Sequence, residues 1–546
     1  MLFNASEFIF GFFPVTLLVF IYLLNRGLYR QSLAWLVFAS LFFYAWWKPV
    51  YLLLILSSIG INYVLGLYIC AIRSPLGATA RKLLLYLGVA ANLASIAWFK
   101  YAGFIATNIN SAFDTRFDVG DIVLPLAISF FTFQQIAYLV DAYRGETEEH
   151  NFLNYALFVT FFPQLIAGPI VSHKEMLPQF FTYKARHFDY NNLAVGLTLF
   201  SIGLFKKVVI ADGVAIHANT VFDAAAAGQT LTFFEAWCGA IAYTLQLYFD
   251  FSGYSDMALG LSRVFGIRLP LNFYSPYKAG SIIEFWRRWH ITLSRFLRNY
   301  LYFSLGGNRH GKTRRYINLL ITMLLGGLWH GAAWTFVLWG MLHGVYLVIN
   351  HAWRGFRQRF AAGGILLRSI EKVFYHGLTF LAVVVAWVYF RAENLDIAHN
   401  VLAGMAGLQG IALPIEWLNR SPEMVQTLQA MSIGFQPLLS VGPIMTLLYD
   451  IADLLGNRIE SSGIGPLTAL AYMSLLVVWT WLAPNTQQFT RRFEPAFEAF
   501  NGQIRPMWPG ILQFRLNALY AVLIALIMAY SIFGTSQTSQ FLYFNF

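Results

Sequence analysis

Long apolar runs separated by short polar or basic segments dominate this chain. Most of these runs approach or exceed the roughly 20 residues with which an α-helix crosses a bilayer, and short alternating strands of a membrane barrel are lacking. The pattern therefore predicts an all-α, polytopic integral membrane protein. The predicted spans are residues 8–24, 32–47, 51–72, 83–105, 122–140, 152–171, 193–216, 233–261, 317–330, 333–349, 377–390, 438–454, 467–482 and 516–533.

Helix-breaking residues interrupt several of the predicted spans. In a membrane, irregular backbone is tolerated only where protein or a water-filled cavity surrounds it. We therefore expect kinks, half-helices or re-entrant segments, and not a bundle of straight spans. The breaking residues are Pro125, Pro163, Pro169, Gly253 and Gly260.

No repeat at a fixed period and no low-complexity tract divides the chain, so we predict one multispan membrane domain over residues 1–546. Two polar segments, 409–436 and 484–509, are predicted to form loops or surface helices between spans. Neither segment is long enough to fold as a second domain.

Composition strengthens the membrane prediction. Hydrophobic residues make up 58% of the chain and charged residues 12%, whereas about a quarter of the residues of a soluble domain are charged. The mean hydropathy is +0.57. The net charge of +11 does not imply a nucleic-acid partner, because basic loops that face an anionic cytoplasmic leaflet explain it.

Basic residues also predict the orientation of the first spans. Arg26 and Arg30 follow the first apolar run, and Arg81 and Lys82 follow the third. Loops rich in Lys and Arg stay in the cytoplasm, so the N-terminus is predicted to lie outside, in the periplasm. An apolar run that precedes its charges is the reverse of a secretory signal peptide.

The two cysteines, Cys70 and Cys238, stand alone in apolar runs. Neither a disulfide framework nor a C-x-x-C thiolate metal site is indicated. Free cysteine packs as a small hydrophobe, so both residues are predicted to lie in the core.

A polar stretch interrupts the predicted span 233–261 with Asp250, Ser252, Tyr254 and Asp256. Ionisable groups within a membrane are costly enough to suggest a function, and we take Asp250, Ser252 and Tyr254 as candidate substrate-binding residues. In the alternative, the two carboxylates hydrogen-bond a broken helix or pair with arginines between residues 286 and 298. Four further ionisable residues are interpreted as ordinary interface residues: Asp141, Arg144, Lys206 and Lys207.

Residues 284–343 form the predicted catalytic core stretch, in which cations, imidazoles and glycines occur together. Between residues 284 and 315, Glu284 is the only acid beside eight basic residues. If this segment is one helix, much of the charge lies on one face. That face is either a belt for lipid headgroups or a site for a phosphate-bearing ligand such as a nucleotide-containing cofactor, which arginine suits. The candidate ligand-binding residues are Arg287, Arg288, Arg295 and Arg298.

Two histidines of this stretch, His290 and His330, each follow a tryptophan. An intramembrane histidine commonly makes a structural hydrogen bond, but imidazole also suits proton transfer near neutral pH, and we predict that the pair is catalytic. No metal is predicted, because the H-x-x-x-H and H-E-x-x-H spacings are absent. His343 is interpreted as a packing residue. Without a serine elbow or an activated thiol, a histidine base that directs an acceptor hydroxyl onto a bound acyl group fits best.

Seven segments carry a family resemblance: Leu124–Phe130, Phe162–Pro169, Tyr248–Ala258, Phe285–Ser294, Gly306–Arg309, Gly326–Ala332 and Trp387–Asn394. They resemble the membrane-bound O-acyltransferase family, in the bacterial branch that includes the alginate O-acetylases and the D-alanyl transfer proteins of teichoic acids. The resemblance covers residues 8–394, and residues 395–546 match less closely.

The resemblance implies a ring of tilted and re-entrant helices around a thinned catalytic centre. His330 matches the catalytic histidine of the family and His290 its second functional position, and we add Trp329 to the candidate substrate-binding residues. The donor implied for this branch is acetyl-CoA, which enters from the cytoplasm as a substrate. No permanently bound cofactor is expected.

The function implied is delivery of acetyl groups across the bacterial inner membrane for O-acetylation of an exopolysaccharide. Alginate is the expected polymer, with cellulose or peptidoglycan as alternatives. The acceptor is either the polymer itself or a serine of a separate periplasmic, SGNH-hydrolase-like acetyltransferase, which is the expected protein partner because this chain contains no such domain. The competing class is a proton-coupled transporter or flippase; an inverted internal repeat would favour it, and we find none in the sequence.

Overall fold

The computed structural model describes residues 1–70, 72, 74–147, 151–181, 187–358, 365–414, 434–436, 466–497, 513–534 and 541–542. Helices make up almost all of the regular structure in these ranges, which confirms the all-α class. One short parallel pair, β1 (Ala412–Pro414) and β2 (Gly434–Gln436), is the exception. The predicted span 438–454 and parts of the predicted loops 409–436 and 484–509 lie outside the described residues.

Within the described residues the α-helices are α1 Phe13–Asn25, α2 Tyr29–Ala45, α3 Tyr51–Ile69, α4 Ala78–Ile96, α5 Ala102–Phe113, α6 Ile128–Arg144, α7 Phe152–Thr160, α8 Phe162–Leu165, α9 His173–Phe181, α10 Tyr190–Phe205, α11 Asp212–Ala226, α12 Phe233–Val264, α13 Ile282–Arg288, α14 Ile291–Phe296, α15 Gly311–His330, α16 Trp334–Arg357, α17 Ile365–Arg391, α18 Leu395–Met405, α19 Pro466–Leu482, α20 Thr486–Phe489 and α21 Ala518–Phe533. Segments of π-helix extend or join them at Glu7–Phe12, Ala97–Tyr101, Lys206–Ala211 and Leu297–Tyr302. Short 3₁₀ turns lie at Pro276–Lys278 and Arg491–Phe493.

Five helical segments of the described chain are long and apolar enough to cross a bilayer: Glu7–Asn25, Tyr51–Ile69, Ala78–Phe113, Tyr190–Ala226 and Ser369–Arg391. Large apolar side chains such as Phe10 and Leu53 face outward from them, because lipid tails surround a membrane helix. In contrast, almost every side chain of α12 beyond Ala236 is buried. α12 is therefore the central helix, and α10, α11, α17 and α18 pack against it.

The predicted breaks at proline are confirmed. α6 begins only after Pro125, and the predicted span 152–171 divides into α7, the one-turn α8 with Pro163 in its first turn, and a turn that leads into irregular backbone at Pro169. Proline has no amide hydrogen to continue a helix. The chain then turns back towards the end of α6, where His173 Nε2 lies 3.1 Å from the carbonyl oxygen of Glu146. This segment is re-entrant.

The predicted breaks at Gly253 and Gly260 are wrong, because α12 runs without interruption from Phe233 to Val264. Both glycines face α10 instead. A Cβ atom on Gly253 would lie 2.7 Å from the carbonyl oxygen of Gly203, and one on Gly260 would lie 2.4 Å from that of Gly196. Small residues at such crossings let two membrane helices approach backbone to backbone.

Buried ion pairs join the same region of the chain. Lys207 Nζ lies 2.7 Å from a carboxylate oxygen of Asp250, and Lys206 Nζ lies 2.6 Å from one of Asp256. The interpretation of the two lysines as interface residues is therefore wrong, and so is the expected pairing of these carboxylates with arginines of residues 286–298. The π-helical turn that starts at Lys206 directs both ammonium groups at α12.

Two apolar cores meet beside α13, α14 and the end of α15. The first is formed largely by α1–α10 and includes Trp329; the second is formed largely by α11 and α16–α18 and includes Trp289. α12 contributes to both. Cys70 and Cys238 are buried and unbridged, as predicted. The two predicted histidines, each next to one of these tryptophans, lie at the boundary between the cores.

Candidate active site

His290 lies between two short helices. α13 ends at Arg288 and α14 begins at Ile291, and the φ angle of His290 between them is 40°, in the left-handed region that non-glycine residues rarely adopt. The Asn272 carbonyl accepts the Ile291 amide at 2.9 Å, and its side-chain oxygen accepts the Thr292 hydroxyl at 2.6 Å. Backbone strain of this kind costs on the order of 1–3 kcal/mol and clusters at functional sites.

His330 is the last residue of α15, and the chain enters α16 after a three-residue turn. The two helices touch through their backbones: a Cβ atom on Gly327 would lie 2.3 Å from the carbonyl oxygen of Phe336 and 3.0 Å from the Cα atom of Gly340. Ring centroids of aromatic residues surround the imidazole, including those of Trp339 at 5.1 Å and Phe390 at 5.2 Å. Backbone contact and aromatic packing thus fix the position of His330.

The structure brings the two predicted histidines together. Their ring centroids are 6.5 Å apart, and the indole of Trp329 lies 6.3 Å from His290 and 4.9 Å from His330. Both imidazoles are buried. His330 lines one of the two cavities described below, and His290 lines neither of them.

A cavity of about 640 Å³ contains His330, and we call it the His330 cavity. Trp329, Lys100 and the first residues of α6 line its interior, and the beginning of the chain and Trp46 and Trp47 line its outer part. The last two tryptophans are about half exposed, so the cavity reaches the protein surface there. Its volume is within the range of sites for small ligands.

A second cavity, of about 500 Å³, lies at the other end of α6, and we call it the basic cavity. Arg295 pairs with Glu175 at 2.6 Å, and Lys174 pairs with Glu146 at 2.5 Å. The Lys174 ammonium lowers the pKa of the Glu146 carboxyl. Cations outnumber acids among the lining residues, which are Arg144, Lys174, Arg295 and Arg309 against Asp141, Glu146 and Glu175.

Asp141 lines the basic cavity and contacts two neighbouring side chains. One of its carboxylate oxygens accepts the hydroxyl of Tyr300 at 2.7 Å and lies 3.3 Å from Nδ1 of His173. Burial lowers the pKa of His173, while the Glu146 carbonyl oxygen and the Asp141 carboxylate oppose that effect. Asp141 and Arg144, which the sequence indicates as ordinary interface residues at the end of a span, both line this cavity.

An aromatic layer lies between the two cavities. Phe133, on α6, stacks on Phe296 at 4.2 Å and on Trp329 at 5.2 Å between ring centroids. Phe296 lines the basic cavity and Trp329 lines the His330 cavity. Along α6, Ile128 lines the one cavity and Asp141 the other, a distance of about 20 Å at 1.5 Å per residue. The cavities therefore approach one site from opposite faces.

The four arginines proposed as ligand-binding residues separate in the structure. The break at His290 leaves Arg287 and Arg288 on α13 and Arg295 on α14, so the expectation that they share one helix face is wrong. Arg288 pairs with an acid on its own helix, and Arg298 bonds to the asparagine that follows it. Arg295 alone of the four lines the basic cavity.

Asp250, Ser252 and Tyr254 lie on the buried face of α12 and line neither of these cavities. Asp250 is held in its ion pair with the π-helical segment. The ring of Tyr254 packs between those of Phe3 and Phe541, at 4.9 and 4.6 Å. These are contacts of packing residues, and a role in substrate binding stays a prediction.

His343 lies on α16, away from both cavities. Its Nδ1 accepts a hydrogen bond from Trp286 Nε1 at 3.2 Å, and its ring packs 4.9 Å from Trp339. Its surroundings are those of the packing residue that the sequence indicates.

Two lysines that line the cavities were not predicted as site residues from the sequence. Lys100 lines the His330 cavity, and Lys174 lines the basic cavity. A lone lysine within the predicted span 83–105 is itself a signal, since an intramembrane cation is a functional candidate by default. Lys174 carries no comparable signal, because its place at the cavity depends on the re-entrant segment before it.

The fold and the site together define a helical membrane protein with two neighbouring buried imidazoles, one of which lines a cavity that an aromatic layer separates from a second, more basic cavity. Comparison with known families makes this specific. The chain belongs to the membrane-bound O-acyltransferase family, whose model matches residues 32–370. This range contains both histidines and α6, whose two ends line the two cavities.

Known relatives agree with that assignment. Peptidoglycan O-acetyltransferase of Helicobacter pylori is 46% identical over 454 residues, which cover 77% of this chain and 84% of that protein. The probable alginate O-acetylase AlgI of Pseudomonas aeruginosa is 45% identical over 410 residues, 74% of this chain and 75% of that one. Teichoic acid D-alanyltransferase of Streptococcus thermophilus is 30% identical over 236 residues, 42% and 57% of the two chains. The predicted family and the predicted enzyme class, a multi-pass membrane O-acyltransferase, are confirmed.

Proposed function

We propose that this enzyme takes an acetyl group from acetyl-CoA in the basic cavity and transfers it to a hydroxyl acceptor in the His330 cavity. The observation that carries the proposal is the aromatic layer of Phe133, Phe296 and Trp329, which separates the cavities and has His330 beside it. A thioester that reaches through this layer meets the imidazole pair. Its phosphates then remain among the cations of the basic cavity, where charge-assisted hydrogen bonds hold them.

The distribution of charge supports an orientation in which the basic cavity faces the cytoplasm. The chain starts at the His330 cavity, so Arg26 and Arg30, which follow α1, lie on the other face. The loop that leads into α6 on the His330 face carries three aspartates and one arginine between residues 114 and 121. Cationic loops stay in the cytoplasm. We therefore place the His330 cavity and the N-terminus on the periplasmic side of a bacterial inner membrane.

The chemistry needs one well-placed base. In this mechanism the acceptor hydroxyl attacks the thioester carbonyl carbon, and His330 removes the hydroxyl proton as the bond forms. The proton then passes to the departing thiolate. His290, fixed by its strained turn, orients the reacting group from the other side. Because a thioester is an activated acyl donor, no covalent enzyme intermediate is required.

We infer that the acetyl group finally reaches a cell-surface polysaccharide. Relatives named for alginate and for peptidoglycan match this chain almost equally well, at 45% and 46% identity, so both polymers are candidates, and cellulose is a third. The direct acceptor on the periplasmic side is the polymer or a serine of a separate SGNH-hydrolase-like acetyltransferase.

Replacement of His330 by Ala is expected to abolish acetyl transfer. Removal of a general base lowers the rate by about 10²–10⁴-fold. The measurement is release of CoA and transfer of labelled acetyl by the purified protein in nanodiscs, with alginate, peptidoglycan fragments or periplasmic extract supplied as acceptor.

His351→Ala is the matched control, because this histidine lies on α16, bonds to Arg315 and lines neither cavity. We expect it to retain parental turnover. If neither the parent nor the control consumes acetyl-CoA with any acceptor, the proposed donor is wrong. If a folded His330→Ala protein turns over at the parental rate, the proposed base is wrong.

A further inference from the structure

The end of α15 is held by the helix that contains Lys100. The last carbonyl groups of an α-helix have no partner within the helix. Here the Tyr101 hydroxyl donates to the carbonyl oxygen of Leu328 at 2.8 Å, and Lys100 Nζ donates to those of Trp329 and His330 at 2.7 and 2.9 Å. Two consecutive side chains therefore satisfy three consecutive carbonyls next to the imidazole.

A π-helical segment, Ala97–Tyr101, connects α4 with α5 and ends with these two residues. Single turns of π-helix occur frequently at functional sites. Support of a helix end does not require a charge, since the neutral hydroxyl of Tyr101 supports the Leu328 carbonyl. A buried ammonium is costly without an acid beside it, and within the described ranges Lys100 makes no ion pair. The charge of Lys100 therefore calls for another explanation.

The ammonium has one donor to spare. It carries three N–H groups, and the carbonyls of Trp329 and His330 use two of them. Lys100 and His330 line the same cavity. Among the residues that the structure describes, the third N–H group has no protein acceptor, so it can donate to a molecule bound beside the imidazole.

We propose that Lys100 is a further catalytic residue, which donates its third N–H group to the acyl carbonyl oxygen as that atom becomes an oxyanion. The proposal rests on the function proposed above. As the acceptor oxygen bonds to the carbonyl carbon, its proton moves to His330 and the carbonyl electron pair moves onto the oxygen, where Lys100 stabilises it. When the carbon–sulfur bond breaks, the carbonyl re-forms and the thiolate takes the proton from His330. Donors already fixed in place stabilise such charge most effectively.

The test compares Lys100→Met with Tyr101→Phe. Both variants remove support from the end of α15, but only the first removes the charge. For Lys100→Met we expect kcat to fall about 10²–10³-fold, as on loss of one oxyanion donor, with KM for acetyl-CoA unchanged. For Tyr101→Phe we expect a loss of at most about tenfold, the scale of one hydrogen bond. Lys100→Arg, which restores a cationic donor, should recover part of the lost kcat.

A Lys100→Met protein that loses no more kcat than Tyr101→Phe would overturn the proposal. If Lys100→Met does not fold, Lys100→Gln and Lys100→Arg decide, because glutamine keeps a donor without the charge; equal kcat values for these two would also overturn it. His330→Ala, measured in parallel, separates the two proposals. If that variant is inactive while Lys100→Met is active, only the role of Lys100 is wrong.

Discussion

Arg295 shows how one residue in the basic cavity can serve both structure and binding. Its guanidinium pairs with the buried Glu175, and the side chain as a whole is still 26% exposed, so it can face a ligand as well as its partner. Arg298, three residues later, bonds to Asn299 and lies outside the cavity. Two arginines of the same segment therefore have different surroundings.

Replacement of Arg295 by Ala is expected to raise KM for acetyl-CoA and leave kcat nearly unchanged, because phosphate contacts far from the reacting carbonyl contribute to binding alone. Loss of a hydrogen bond to a charged group is worth about 1.5–3 kcal/mol, so KM should rise about 10- to 100-fold. Initial rates over a range of acetyl-CoA concentrations give both constants. Arg298→Ala is the control and should behave as the parent does; an equal rise of KM in both variants would contradict the binding site.

At the scale of elements, the hairpin of α15 and α16 sets the position of His330. These helices meet where Gly327 and Gly340 leave no room for side chains. Near the C-terminal end of α16, nothing lies within 4 Å of a Cβ atom added to Gly355. A glycine-to-alanine substitution is therefore expected to destabilise the protein at position 327 of α15 but not at position 355 of α16.

Gly327→Ala is expected to push α15 and α16 apart, because the new methyl group would lie 2.3 Å from the Phe336 carbonyl oxygen. Overpacking of this kind costs about 1–3 kcal/mol, and displacement of His330 should also lower turnover. Thermal unfolding in detergent, together with the acetyl-transfer rate, measures both effects. Gly355→Ala should instead be neutral or stabilise the helix by up to about 1 kcal/mol, and equal stability of the two variants would show that the close approach is absent.

At the scale of the whole molecule, the ion pair of Lys207 and Asp250 joins three parts of the chain. Lys207 belongs to the π-helical segment after α10, and Asp250 lies on α12. The backbone amide of Leu542 donates to Asp250 at 3.1 Å, and the Lys207 ammonium lies 5.0 Å from the ring centroid of Phe541. The central helix and a segment distant in sequence are thus held at one buried charge pair.

Lys207→Met is expected to destabilise the protein by about 3–5 kcal/mol, because it leaves the Asp250 carboxylate buried without its cation. The change should appear as a lower unfolding temperature of the purified protein. The control is Lys174→Met, whose pair with Glu146 is about half exposed and contributes no more than about 1 kcal/mol to stability. Similar unfolding temperatures for the two variants would mean that the buried pair does not contribute as proposed.

Sequence alone determined the class of the fold, and it predicted the two histidines that the structure brings together. Apolar runs of bilayer length leave a helix as the regular structure that satisfies its own backbone in lipid, and the prolines at 163 and 169 marked the interruption of the predicted span 152–171, because proline supplies no amide hydrogen to an α-helix. The motifs around His290 and His330 identified the family, since a local pattern suffices to recognise them.

Only the tertiary structure decided which charges belong to the site. A break at His290 separated arginines that one continuous helix would have gathered, and the re-entrant segment brought Lys174 and Glu175 to Arg295. The glycines of α12 pack against α10 and do not interrupt α12. Lys100 supports the end of α15, more than two hundred residues away in sequence. In each case the partner is distant in sequence. The energy of a buried charge or a close backbone contact depends on that partner, so local spacing could not reveal it.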